Sequence, residues 1–205
     1  MEPKLFFSAF FAFLALVNPI QKLFVIFSLQ DKYTSSELKR IVIRATITAL
    51  GILILFLFLG NVILNYIFNL QIYAFQVTCG VVLFYNGFVG LQKGAFLTID
   101  SNTRIEDIIA VPIAVPMIAG PATITAVVTM PSIYGQLTTL LAVSLAIFIN
   151  MLIMQNAKHI GAILVKHNIL MPMIRITGLI VAAIGTQMIF NGIHTFILMI
   201  DKNPI

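Results

Sequence analysis

The sequence predicts an all-α membrane protein of six transmembrane helices, built as two inverted three-helix repeats, with the first and fourth helices broken at Asn-Pro and Gly-Pro. Three observations carry that prediction. The 205 residues are 60% hydrophobic and 9% charged, with a mean hydropathy of +1.06, whereas ordinary soluble domains are about a quarter charged. A proline stands inside a long apolar stretch twice, in LVNPIQK (Leu16 to Lys22) and in MIAGPATIT (Met117 to Thr125). Lys and Arg crowd into alternate connections between the apolar runs.

A crossing needs about 20 apolar residues, which gives spans at roughly 5–29, 44–64, 72–91, 108–130, 137–155 and 173–198. The connections are short, so residues 1–205 form one transmembrane domain, with repeat one at about 1–95 and repeat two at about 105–202. The start, Met-Glu-Pro-Lys, lacks the basic cluster of a signal peptide, and the apolar run continues past Ala15. The first span is therefore expected to be retained.

Within that span Asn18 suits an N-cap, and Pro19 suits the first position of a new helix, where its missing N–H would have no intrahelical partner. Gly120 and Pro121 repeat the arrangement in the fourth span. Each motif predicts a half-helix starting at membrane depth, with the N–H groups of Ile20 to Lys22 and of Ala122 to Ile124 turned back toward the break. Two such ends make an anion-binding site. Backbone of this kind is tolerated in a membrane only where it is buried or lines a cavity, and paired interruptions in two halves point to the binding site of a secondary transporter. A proline kink with no binding role is the alternative.

The repeat and the topology follow from spacing and charge. Pro19 matches Pro121 at an offset of 102, and Gly80 and Gly87 match Gly178 and Gly185 at an offset of 98. Three spans per unit force the copies to run in opposite directions. Lys32, Lys39, Arg40, Arg44, Lys93, Arg104, Lys158, Lys166 and Arg175 fall on one side, against Lys4 and Lys202 on the other, so both termini are expected to face outward. The glycines also predict small-residue seams where helices approach closely: Gly80, Gly87 and Gly90 in the third span, and Gly178, Ala182, Gly185 and Gly192 in the sixth.

Polar groups are few inside the spans. Most threonines in membrane helices bond their own backbone, but Thr123 and Thr125 occupy the first turn after the second break, within reach of a ligand held there. Lys22 is the only charge well inside an apolar stretch. It lies about 13 Å from Asp31 at 1.5 Å per residue, so it either snorkels part of the way to the headgroups or faces the cavity beside the break. All seven acidic residues fall in termini, loops or span edges, which leaves no intramembrane carboxylate for a proton relay or a sodium site. If protons drive the protein, Lys22 is the one titrating candidate inside.

Other classes find little support. The single Cys79 excludes a disulfide framework and offers no metal-ligand spacing, so neither metal nor cofactor is expected. No Gly-x-Ser-x-Gly, His-Glu-x-x-His, phosphate loop or paired acids stand at membrane depth, so no catalytic residues are assigned and an enzyme is not expected. The net charge of +5 is spread over short loops without interleaved aromatics, which excludes a nucleic-acid surface.

Six spans with Asn-Pro-Ile in the first, Gly-x6-Gly in the third and Val-Pro-Met-Ile-Ala-Gly-Pro-Ala-Thr-Ile-Thr in the fourth resemble the MarC family of bacterial inner-membrane proteins. The resemblance covers essentially the whole chain and is most specific from Pro112 to Thr125; the stretch from Arg175 to Ile189 is also typical. It implies an inner-membrane, multi-pass transporter of small neutral amino acids of the glycine, alanine and serine class. The chain departs from the family's Asn-Pro-Ile-Gly pattern, because Gln21 stands at the Gly position and Phe24 at a following Pro position, with Lys22 between.

With a zwitterionic substrate, the carboxylate would meet the N–H groups after Pro19 and Pro121, helped by Thr123 and Lys22, and the ammonium would meet carbonyls around Val17, Asn18, Ala119 and Gly120. The expected substrate-binding set is thus Asn18, Pro19, Ile20, Gln21, Lys22, Ala119, Gly120, Pro121, Ala122 and Thr123. A membrane scaffold, or a channel or exporter for another small solute, is the alternative. A homo-oligomer stays open.

Overall fold

The computed structural model describes residues 2–93 and 117–202, and within them every regular element is helical. Its elements are α1 (Pro3–Val17), α2 (Pro19–Ser28), α3 (Ser35–Asn61, continuing through a π-helical turn at Val62–Ile67), α4 (Ile72–Lys93), α5 (Pro121–Thr129), α6 (Pro131–Tyr134), α7 (Gln136–Gln155), α8 (Ala157–Lys166) and α9 (Leu170–Lys202). Among the described residues five stretches are long and apolar enough to cross a membrane: Pro3–Ser28, Ser35–Ile67, Ile72–Gln92, Gln136–Gln155 and Leu170–Asp201. The expected span at 108–130 lies partly outside the described residues; its later part is α5.

The first span is two helices. Proline within a continuing helix would leave an i−4 carbonyl without its donor and drive its ring into it. The chain instead ends α1 with Asn18 in the left-handed region (φ 51, ψ 72), where its N–H bonds the Leu14 carbonyl at 3.0 Å, and starts α2 at Pro19. Asparagine tolerates that region better than most residues. The start of α3 is fixed by a capping box: the Thr34 hydroxyl accepts from the Glu37 N–H at 3.3 Å, and the Glu37 carboxylate accepts from the Thr34 N–H at 2.8 Å.

An apolar core runs between α1, α3, α5 and α7. Phe13, Val17, Ile41, Val42, Ala45, Leu53, Ile118, Val127, Ala142, Val143 and Ile147 are all essentially inaccessible there. Alanines at Ala45, Ala49, Ala142 and Ala146 let the helix axes close up. Outside this core α4 packs along α9, α4 also meets α5, and α9 reaches α2.

The α4–α9 pairing is the glycine seam. A Cβ on Gly80 would stand 2.7 Å from the Gly185 carbonyl oxygen, and one on Gly185 the same distance from the Gly80 oxygen. Gly87 and Gly178 repeat the relation, at 2.6 Å and 2.7 Å from each other's carbonyl oxygens. No real Cβ occupies such a position, so the backbones touch because the side chains are absent. Gly192 adds a third close approach, against Val77 and the Tyr73 carbonyl.

Two elements differ from expectation. The connection before the last span contains α8, which packs against α2 with Gly161 under the Phe27 ring. The second span is longer at both ends, because the capping box starts it at Ser35 and the π turn carries it to Ile67.

Candidate functional site

The Asn18-Pro19 junction and the Gly120-Pro121 start of α5, the first and second of the expected breaks, lie on a common cavity. Leu16, Gln21 and Lys22 of the first break, Met117, Gly120, Pro121, Ala122 and Thr123 of the second, Leu83 and Asn86 of α4, and Val181 of α9 enclose about 90 Å³. One water needs roughly 10–15 Å³ measured this way, so the space holds several waters or one solute of a few heavy atoms.

Lys22 dominates its chemistry. The side chain is only 2% exposed, and its Nζ turns back to donate to the Val17 carbonyl, one of the groups freed where α1 ends. It does not snorkel. Among the described residues no acidic side chain pairs with it, and an ammonium out of water without a counter-charge is costly. The missing charge is one that a ligand can bring.

The helix starts are only partly free. Asn18 Oδ1 accepts from the Gln21 N–H at 3.4 Å, and the Ile124 N–H bonds the Gly120 carbonyl at 2.9 Å. Two of the six expected backbone donors are thus occupied, and at the start of α5 those of Ala122 and Thr123 have no acceptor among the described residues. Carbonyls are also taken: Val17 by Lys22 and Gly120 by Ile124. Gly120 is extended (φ −80, ψ 170), so its glycine is not required by backbone angle.

The threonines divide as their positions suggest. Thr125 bonds back to the Pro121 carbonyl at 2.9 Å, and Thr78 and Thr186 likewise bond carbonyls of their own helices, each at 3.0 Å. Thr123 is buried beside the cavity, and its hydroxyl makes no hydrogen bond among the described residues.

Of the ten expected binding residues, Gln21, Lys22, Gly120, Pro121, Ala122 and Thr123 line this cavity. Asn18, Pro19 and Ile20 turn the other way, onto a separate apolar groove of about 450 Å³ with Phe11, Leu14 and Ile180, and Ile20 is 39% exposed. Ala119 is buried and lines neither. Asn18 acts through its cap rather than from the cavity wall; its Nδ2 is buried without a partner among the described residues. Asn86 was missed. The signal was available, since an amide inside an apolar span is a candidate by polarity alone, but nothing in a linear motif ties it to the breaks.

A family model described as MarC family integral membrane protein matches residues 3–197. The chain belongs to the MarC family. It is 33% identical over 189 residues to a UPF0056 membrane protein of Pyrococcus horikoshii, covering 92% of this chain and 93% of that one. It is similar to a UPF0056 membrane protein of Methanocaldococcus jannaschii (30%, covering 97% and 100%) and to one of Aquifex aeolicus (28%, covering 94% of each). No solved structure matches it. This MarC family chain is therefore a multi-pass integral membrane protein.

Proposed function

We propose that this protein is a secondary transporter of small neutral amino acids, with the substrate held between the two chain breaks. The observation that carries the reading is the buried Lys22, which shares a cavity of about 90 Å³ with the start of α5 and has no acidic partner among the described residues. A substrate carboxylate between Lys22 and the N–H groups of Ala122 and Thr123 supplies the absent charge at the positive end of a helix. The Asn86 and Gln21 side-chain oxygens, rather than the occupied Val17 and Gly120 carbonyls, are the acceptors for the ammonium. Ala122 and the small volume favour glycine, alanine and serine over larger side chains.

Alternating access follows from two inverted three-helix repeats rocking about the site. The glycine seam supports that architecture. Under the repeat, Gly80 corresponds to Gly178 and Gly87 to Gly185, so the close pair Gly80–Gly185 exchanges with Gly87–Gly178 as a two-fold axis between α4 and α9 requires. The basic connections face the cytoplasm in this reading, with both termini outside an inner membrane.

Counterflow of labelled glycine or alanine into proteoliposomes preloaded with the same amino acid tests the proposal. Saturable exchange that collapses in Pro121→Ala and Thr123→Val supports it. Folded wild-type protein that exchanges no small neutral amino acid refutes the substrate class, and flux without saturation or counterflow identifies a channel.

A further inference from the structure

A second cavity, of about 220 Å³, lies at the end of the molecule where the basic residues gather, between the last turn of α2, the first turns of α3 and the α7–α8 junction. Its lining includes Lys39 from α3, Lys158 and His159 from α8, and the amide-bearing Gln30 and Gln155. Its floor is apolar, built on the buried Val42 and Met154. No acidic side chain lines it among the described residues. Two acids adjoin lining residues in sequence: Asp31, next to Gln30, is exposed and is not part of the lining, and Glu37, next to Leu38, has its carboxylate engaged by the N–H and hydroxyl of Thr34, both at 2.8 Å. Two lysines from separate helices thus share one hollow whose described lining carries no negative charge.

We propose that this cavity binds a phosphate-bearing anion. A tetrahedral oxyanion accepts from several donors at once, which suits lysines supplied by two different helices together with uncharged amide donors in the same lining. The volume takes such a group together with some of its water. The position selects the same chemistry. Helix α8 carries Lys158 and Lys166 but exposes Ile163 and Val165, 59% and 49% accessible, the pattern of a helix lying along a membrane surface. Phospholipid headgroups occupy that level, and basic pockets between membrane helices take them; a free phosphate would use the same donors.

The test uses the full-length protein in detergent, titrated separately with inorganic phosphate, phosphatidylglycerol and phosphatidylcholine. Bound lipid is counted by native mass spectrometry, and the unfolding midpoint is followed by circular dichroism. The expected result is saturable binding of phosphatidylglycerol or of phosphate that raises the midpoint. Binding should weaken about tenfold or more in both Lys39→Gln and Lys158→Gln and recover in Lys39→Arg and Lys158→Arg. Phosphatidylglycerol binding that inorganic phosphate fails to displace assigns a lipid headgroup; stabilisation by phosphate alone assigns a soluble ligand. Phosphatidylcholine binding as tight as phosphatidylglycerol with no phosphate effect, or glutamine variants that bind like wild type, overturns the proposal. The lysines are exposed, so the variants keep the fold, and no amino acid exchange enters the readout.

Discussion

Adding one methyl group at Gly87 and one at Gly51 should move stability in opposite directions. A Cβ at Gly87 meets the Ala182 backbone nitrogen and stands 2.6 Å from the Gly178 oxygen and 2.8 Å from the Ala182 Cα, all atoms of the facing helix backbone. Backbone cannot step aside as a flexible side chain can, so α4 and α9 must separate. Overpacking of this kind costs about 1–3 kcal/mol. At Gly51 nothing lies within 4 Å of the added atom, and the position is exposed on α3. There Ala for Gly returns about 0.5–1 kcal/mol of backbone entropy. For a chain of 205 residues, 1 kcal/mol corresponds to roughly 2–4 °C. Gly87→Ala should therefore lower the unfolding midpoint by about 2–12 °C, and Gly51→Ala should raise it by about 1–4 °C. The chain has no tryptophan, so circular dichroism in detergent is the assay of choice. Equal shifts for the two variants, or a stabilised Gly87→Ala, would refute the claim that α4 and α9 meet backbone to backbone.

Other variants probe the breaks. Lys22→Met should abolish exchange yet leave the midpoint unchanged or raise it, since replacing a buried charge without a counter-charge by an apolar chain of similar length is neutral or stabilising; a collapse in midpoint would make Lys22 a structural residue. Asn18→Ala loses the cap on Gln21 and puts a Cβ-bearing residue without a capping oxygen at φ 51, which together should cost about 1.5–3 kcal/mol, whereas Asn18→Gly should cost only a few tenths. The reverse order in thermal melts contradicts the left-handed break. Thr34→Ala removes the hydroxyl half of the capping box, leaving the backbone N–H of residue 34 to the Glu37 carboxylate, and should destabilise by about 1 kcal/mol with exchange intact, measured by the same two assays. Asn86→Leu should raise the KM for alanine at unchanged midpoint, because it removes a polar group from the cavity wall and not from the core.

Much of the fold was legible because hydrocarbon imposes simple rules. Long apolar runs mark crossings, and the Asn18-Pro19 and Gly120-Pro121 pairs mark helix starts through the missing N–H alone. The seven-residue glycine spacing pointed to the seam for the same reason, since only the absence of a side chain permits such an approach. The site was less legible because a helix start has sides. Residues 18 to 22 are contiguous in sequence, but successive helical positions turn by about 100°, so Gln21 and Lys22 reach the cavity while Asn18, Pro19 and Ile20 face the outer groove. The direction of Lys22 depended on a carbonyl, Val17, whose availability exists only once α1 has ended. Helix α8 escaped notice because ten residues are too few for a crossing and their amphipathic pattern resembles that of a polar connection.

The central claim is that both breaks build one binding site. Equilibrium binding of labelled alanine to purified protein, compared among wild type, Lys22→Met and Thr123→Val, tests it most directly, because the two residues stand 101 positions apart in sequence and on different helices. The account predicts one saturable site in the wild type, weakened about tenfold or more by either substitution alone. Wild-type affinity in either variant, provided both remain folded, would contradict it.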